Sequence, residues 1–191
     1  MPRIVEPTLA EHRASRVAAL IAAGESVLRR KGLAAVTPRS VCEQAGLART
    51  SFYDYFNTKD DLLIAIAIDA MERWAADIEQ LLAHVEPGLP ALKAYIDATM
   101  QMTAEGRHDI ASALREANLK PSKMDDLMTL HGVLFRPLMH VLAGLEINSQ
   151  ERALAMLEGL LNAGVGLVTR GADPEEISAE VYRAATRGFI Q

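Results

Sequence analysis

Thr37-Pro-Arg-Ser-Val-Cys-Glu-Gln-Ala-Gly-Leu-Ala-Arg-Thr-Ser-Phe-Tyr-Asp-Tyr-Phe56 is the stretch on which the fold turns. Thr37 is a side-chain N-cap, and Pro38 stands at the first helical position, where a missing N–H costs nothing. Val41, Cys42 and Ala45 give the following turns a small apolar face, so a helix is expected over Pro38 to Ala45. Gly46 supplies the positive φ of a sharp reversal, and Leu47 is set to point back into the angle between two helices. A second helix is expected from Ala48 to Tyr55. Phe52 and Phe56, four apart, would feed the core, leaving Arg49, Thr50, Ser51, Tyr53 and Tyr55 on the other sides. Those are donors and flat rings suited to phosphates and base edges, in the layout of a helix-turn-helix.

At this point the chain resembles the tetracycline-repressor (TetR) family. The residues that carry the resemblance are Gly32-Leu33, Val36-Thr37, Ala45-Gly46-Leu47, Tyr53-Asp54-Tyr55-Phe56 and Thr58-Lys59-Asp60-Asp61-Leu62-Leu63. They fall in order between Arg16 and Ile66, about a quarter of the chain, and the order is what makes the signal specific. Ala48 stands where the family usually has a capping Ser, and Thr50 where it usually has Gly. The resemblance implies a dimeric DNA-binding regulator, a repressor released from a palindromic operator by a small-molecule effector. A helical small-molecule-binding or interaction protein without DNA-binding activity is the alternative, and salt-sensitive binding to duplex DNA separates the two.

The N-terminal residues of a recognition helix go deepest into the major groove, so Arg49, Thr50 and Ser51 are the candidates for base-edge contact. By resemblance Tyr53, Tyr55 and Lys59 contact phosphates. Thr37 and Arg39 join them at the start of the preceding helix, where free N–H groups favour an anion. Asp54 would repel phosphate unless it accepts from a cytosine amine or points away.

The charge is unevenly spread. Residues 1–60 hold nine Lys/Arg against six Asp/Glu, and residues 61–191 hold eleven against nineteen, so a net −5 chain has its basic part where the motif lies. A net +3 module is modest, which favours two copies and a few placed phosphate contacts over a general basic field. With 191 residues, half of them apolar, the chain has enough material for one small domain and one larger one. The division expected is 1–58 for DNA binding with an N-terminal arm, and 59–191 for effector binding and dimerisation.

Cys42 is the single cysteine, which excludes an internal disulfide and suits a reducing cytoplasm. It reads as a small buried residue rather than a reactive thiol. Met1-Pro-Arg-Ile-Val-Glu-Pro-Thr has no apolar run of a signal peptide, and Gly159 to Thr169 is too short and glycine-rich to span a bilayer. His12, His84, His108, His131 and His140 form no metal-ligand pair, and no glycine-rich phosphate loop precedes a helix. Neither an enzyme site, a metal nor a cofactor is expected.

Around the motif every remaining element reads as a helix, giving an all-α fold: an N-terminal three-helix DNA-binding domain, joined by a long helix to a larger helical domain. The first ten residues read as an arm. Ala14 to Lys31 is the bracing helix, with Val17, Leu20, Ile21, Val27 and Leu28 inward. Thr58 caps the long helix running through Trp74 to about His84, and helices follow near Pro90 to Thr103 and Asp109 to Asn118. Another runs from Ser122 to Gly144, with a kink expected at Pro137.

On that helix Met124, Met128, His131, Phe135 and Met139 share one arc. A Met-rich wall with one titratable group suits an adaptable ligand pocket facing Trp74, and it equally suits plain core with a satisfied histidine. Ser149 to Thr169 carries Leu157, Leu161, Val165 and Val168 in a wide apolar stripe, and Asp173-Pro-Glu-Glu176 opens a final helix with Val181 and Ala185 on a small-residue face. Two readings fit: these helices finish the monomer's core, or, as the resemblance favours, they build a four-helix dimer interface from two subunits.

Overall fold

The computed structural model describes residues 9–106 and 124–188, except the side chains of 124–131 and 134. Every regular element among them is helical: α1 Leu9–Lys31, a 3-10 turn Leu33–Ala35, α2 Pro38–Ala45, a 3-10 segment Arg49–Asp54, α3 Lys59–Leu82, α4 Leu89–Ala104, α5 Met124–Ala143, α6 Gln150–Thr169 and α7 Pro174–Gly188. The helix expected over Asp109 to Asn118 lies outside the described residues. None of the described helices is long and apolar enough to cross a membrane.

Two compact units are present. Among the described residues one holds 9–70 with 124–127, and the other holds 71–106 with 128–188. α3 belongs to both. Its start is fixed by a reciprocal cap, the Thr58 N–H donating to Asp61 Oδ2 at 2.8 Å and the Asp61 N–H to Thr58 Oγ1 at 3.2 Å.

In the first unit α1 begins at Leu9, before the Ala14 expected, so Leu9 and Ala10 are helix rather than arm. Leu9 is almost fully exposed, and apolar periodicity therefore gave no sign of this extra turn. The inward stripe of α1 is Leu20, Ala23, Gly24, Val27 and Leu28, with Val17 and Ile21 only half-buried. The shift has a steric cause. A Cβ on Gly24 would lie 2.7 Å from Ile66 Cδ1 and 3.2 Å from Leu62 Cδ2, so α1 passes α3 at a glycine and turns the small side of the helix inward. Val36, Val41, Phe52 and Leu62 complete this core with no exposure.

The second unit is built on α4, whose Leu92, Tyr95, Ile96 and Met100 are wholly or almost wholly buried. Trp74 of α3 meets the Tyr95 ring edge to face at 6.1 Å. Burial pushes the Tyr95 hydroxyl up beyond the usual phenol range. α5 adds Phe135, Leu138, Val141 and Leu142, and its Arg136 donates to Glu79 Oε1 at 2.8 Å and Glu72 Oε2 at 3.1 Å on α3. Ser149 caps α6, and Asp173 Oδ1 accepts from the N–H groups of Glu175 and Glu176 at 2.9 and 3.0 Å to cap α7. α6 approaches its neighbours at Gly164, where a Cβ would lie 2.8 Å from Met100 Cε and 3.1 Å from Ile177 Cγ2 and Val181 Cγ2.

Candidate nucleic-acid interface

α2 starts as a full capping box. Thr37 Oγ1 accepts from the Ser40 N–H at 3.1 Å, and Ser40 Oγ accepts from the Thr37 N–H at 3.0 Å while donating to the Ala35 carbonyl at 2.7 Å. Thr37 thus uses its hydroxyl on the helix and presents its end to solvent. α2 ends at Gly46, φ 68, with the Leu47 N–H on the Cys42 carbonyl at 2.8 Å, a Schellman closure that only a residue tolerant of positive φ completes. The turn expected from Ala45-Gly46-Leu47 is present.

The recognition segment differs from expectation. It is a 3-10 helix over Arg49–Asp54 rather than an α-helix from Ala48 to Tyr55. Its N-cap, Ala48, has the extended φ −65 and ψ 144 of a cap but no side-chain oxygen, so the first N–H groups close early, Ser51 on Ala48 at 2.9 Å. Phe52 anchors the segment in the core, edge-on to Tyr53 and 5.8 Å from Phe56. With Phe52 inward, Arg49, Thr50, Tyr53 and Asp54 are exposed, Tyr53 by 59%, and Ser51 is half-buried.

The remaining predicted contacts have partners inside the protein. Arg39 Nε pairs with Glu43 Oε1 at 2.7 Å on an exposed helix face, and that hydrogen bond raises the guanidinium's pKa further. Such a pair is weak and exchangeable. Lys59 Nζ donates to the Leu33 carbonyl at 2.8 Å, tying α3 to the turn after α1 and committing one of its three donors. Tyr55 is half-buried beneath Arg13, whose guanidinium lies 5.2 Å from the ring centroid. The sequence carries no local signal of this contact, since Arg13 and Tyr55 lie far apart along the chain. Cys42 is buried, its thiol donating to the Arg49 carbonyl at 3.9 Å, and burial pushes its pKa up despite a backbone hydrogen bond at Phe52. The thiol form is favoured, as befits a packing residue.

In the second unit Trp74 and Phe135 both belong to the apolar core. Met139 does not share their side: it is 42% exposed. The inward stripe of α5 runs Phe135, Leu138, Val141, Leu142, and a residue four past Phe135 falls on its outer flank. The side chains of Met124, Met128 and His131 lie outside the described residues. A cavity of about 690 Å³ does occur elsewhere, lined by Leu81, Lys93, Asp97, Gln101, Glu175 and Ser178. There the Lys93 ammonium donates to both Asp97 oxygens at 2.6 and 2.7 Å, and the Ser178 hydroxyl donates to the same carboxylate.

Five of the six expected dimer residues require correction, Val165 being the exception. Leu157, Leu161, Val168, Val181 and Ala185 are buried within the protomer itself, and Val165 is half-buried. α6 is apolar on two sides, and the close approach at Gly164 gives one of them to α4 and α7. The side left in solvent carries Met156, Gly159, Ala163 and Leu167, spaced at helical intervals, with Met156 51% and Leu167 41% exposed.

Residues 20–66 match the model of the bacterial regulatory proteins of the tetR family. The chain is 25% identical over 104 residues to YfiR of Bacillus subtilis, described as an uncharacterized HTH-type transcriptional regulator; the match covers 54% of this chain and about half, 48%, of that one. Among solved structures, FadR from Bacillus subtilis in complex with stearoyl-CoA is 18% identical with a TM-score of 0.72, covering 90% of this chain and 98% of that one. A TetR transcriptional regulator from Rhodococcus sp. RHA1 is 19% identical with a TM-score of 0.71, covering 93% and 97%. RolR in complex with resorcinol is 20% identical with a TM-score of 0.62, covering 94% and 90%. At these identities the likeness to solved structures is one of fold. The match over residues 20–66 coincides with the capped, glycine-hinged helix pair and the exposed Arg49-Thr50 and Tyr53, so it is in this segment that the chain is similar to the bacterial regulatory proteins of the tetR family.

Proposed function

We propose that the protein is a ligand-responsive transcriptional regulator of the cytoplasm, a repressor rather than an enzyme, that binds palindromic operator DNA as a homodimer and leaves it when a small-molecule effector binds. The observation that carries this reading is the recognition segment. Phe52 is fully buried and leaves Arg49, Thr50 and Tyr53 outward, directly after the capped, glycine-terminated α2. In this reading residues 1–58 bind DNA and 59–191 bind effector and partner. Arg49, Thr50 and Ser51 read base edges; Thr37, Arg39, Tyr53, Tyr55 and Lys59 hold phosphates.

Effector control is supported by analogy with FadR, solved with stearoyl-CoA, and RolR, solved with resorcinol. The pocket is proposed at Trp74 and Phe135, with Met124, Met128 and His131 along the same helix. For self-association we propose the outer stripe of α6, Met156 to Leu167, a reading supported by the exposure of its apolar residues. The test is selection of bound sequences from random duplex DNA, followed by a screen of compounds for release. Enrichment of an inverted repeat and its loss in Arg49→Ala is the expected result; binding that is absent, or indifferent to salt and sequence, overturns the reading.

A further inference from the structure

Arg13 belongs to α1, outside the helix-turn-helix, yet its guanidinium carbon lies 5.2 Å from the centroid of the Tyr55 ring, at the residue that closes the recognition segment. An exposed side chain of one helix is thereby laid on a half-buried ring of another element. A guanidinium held over a ring by cation–π attraction keeps its N–H donors, so the contact places the fork beside Tyr55 without consuming it.

Four other cations of the module are engaged by polar groups of the protein. Arg29 and Arg39 pair with Glu25 and Glu43 one turn away, Arg30 Nη2 donates to Gln44 Oε1 at 2.9 Å, and Lys59 is on the Leu33 carbonyl. Among the described residues no carboxylate pairs with Arg13. It combines a position over the Tyr55 ring with an unneutralised charge, beside a tyrosine proposed above to hold a phosphate. We propose that Arg13 is a further phosphate-contacting residue: Tyr55 holds its guanidinium so that the fork takes a backbone phosphate of the duplex, which extends the DNA footprint from the helix-turn-helix onto α1. This rests on the operator-binding reading. The stack removes rotamer freedom before DNA arrives, so ordering the long side chain costs less at the moment of binding. Arg is the residue type suited to this, because planarity allows it to stack and to bind phosphate together.

The inference separates from a role in packing α1 through the dependence on salt. Arg13→Ala, Arg13→Gln and Arg13→Lys are compared with the wild type on a random-sequence duplex and on a duplex selected by the wild-type protein, across a salt series, with melting curves for each variant. Arg13→Ala and Arg13→Gln are expected to lose about tenfold in affinity on both duplexes and to reduce the slope of log K against log salt by about 1. Arg13→Lys keeps the slope and recovers part of the affinity, since a point charge neutralises a phosphate without forking or stacking as well. In a Tyr55→Leu background the effect of Arg13→Ala shrinks. A wild-type slope in both Arg13→Ala and Arg13→Gln, with Arg49→Ala still impaired, overturns the inference while leaving operator binding standing. A wild-type protein that binds neither duplex overturns both. Should Arg13→Ala fail to fold, Arg13→Gln and Arg13→Lys carry the same comparison.

Discussion

Gly24 and Gly46 stand in the same unit for opposite reasons. At Gly46 nothing lies within 4 Å of an added Cβ, and the backbone at φ 68 is the whole constraint. Gly46→Ala is expected to destabilise the first unit by about 1–2 kcal/mol, and Gly46→Asn by clearly less, because Asn tolerates the left-handed region. At Gly24 the backbone is ordinary helix and the constraint is Ile66 and Leu62. Alanine in mid-helix gains roughly 1 kcal/mol of propensity, whereas overpacking a fully buried Ile66 costs about 1–3 kcal/mol. Gly24→Ala is therefore expected to lower stability by about 1 kcal/mol net; thermal denaturation showing a more stable variant means that the Ile66 side chain moves aside freely. Gly46 was readable in the sequence because a glycine after a short capped helix has a local meaning. Gly24 was not, since the residues it accommodates lie far along the chain and a mid-helix glycine reads locally only as a cost.

At the scale of elements, caps proved legible and their absence proved decisive. Thr37, Thr58 and Asp173 each accept the N–H groups that their place in the sequence predicts, and Ser149 caps its helix in the same way. Ala48 has the backbone of a cap without the oxygen, and the recognition segment is correspondingly a 3-10 helix. Ala48→Ser restores an acceptor for the N–H groups of Thr50 or Ser51 and is expected to stabilise the first unit by about 1 kcal/mol. Denaturant titration reads the gain, and circular dichroism should show added helix. No change in either measurement would mean that Phe52, fixed by the core, dictates the 3-10 geometry and the cap is irrelevant. The start of α1 was missed for a complementary reason: Leu9 to Arg13 form a helical turn with no apolar side to bury, so periodicity is silent there.

The pocket illustrates a further limit at the same scale. Helical spacing placed Phe135 inward correctly, but a wheel drawn without knowledge of the contact direction swept in Met139, which the packed helix leaves outside. Phe135 is now both core and pocket candidate, so Phe135→Ala costs stability in either case, on the order of 3 kcal/mol for a buried aromatic. Trp74 is the cleaner reporter. It touches Tyr95 edge-on, and an effector that enters this core is expected to change Trp74 emission together with DNA affinity, the two following one binding curve. Release from DNA with Trp74 emission untouched would place the effector elsewhere, the cavity at Lys93 and Asp97 being the first alternative to examine.

For the molecule as a whole, the charge division, the helix-turn-helix and the all-helical character were legible, whereas the surface of self-association was not. α6 carries apolar residues around most of its circumference, and sequence alone says that both sides are covered without saying by what. The close approach at Gly164 resolves one side: Leu157, Leu161 and Val168 meet the protomer's own α4 and α7. The other, Met156, Gly159, Ala163 and Leu167, is exposed and is the side proposed above for a second copy. The two sides predict different failures. Ala185→Glu or Val181→Glu buries a charge in the core and should unfold the second unit, lowering its melting temperature steeply whatever the oligomeric state. Leu167→Glu or Met156→Glu adds a charge to an exposed stripe, so the protomer should keep its fold and melting cooperativity while light scattering reports half the mass. In the proposed dimer the two recognition segments are held one DNA turn apart, so operator binding should then fall to the level of one half-site. Dimers that persist in both Leu167→Glu and Met156→Glu would exclude this stripe, and the remaining exposed small residues of α7, Ala179 and Ala184, would be the next surface to charge.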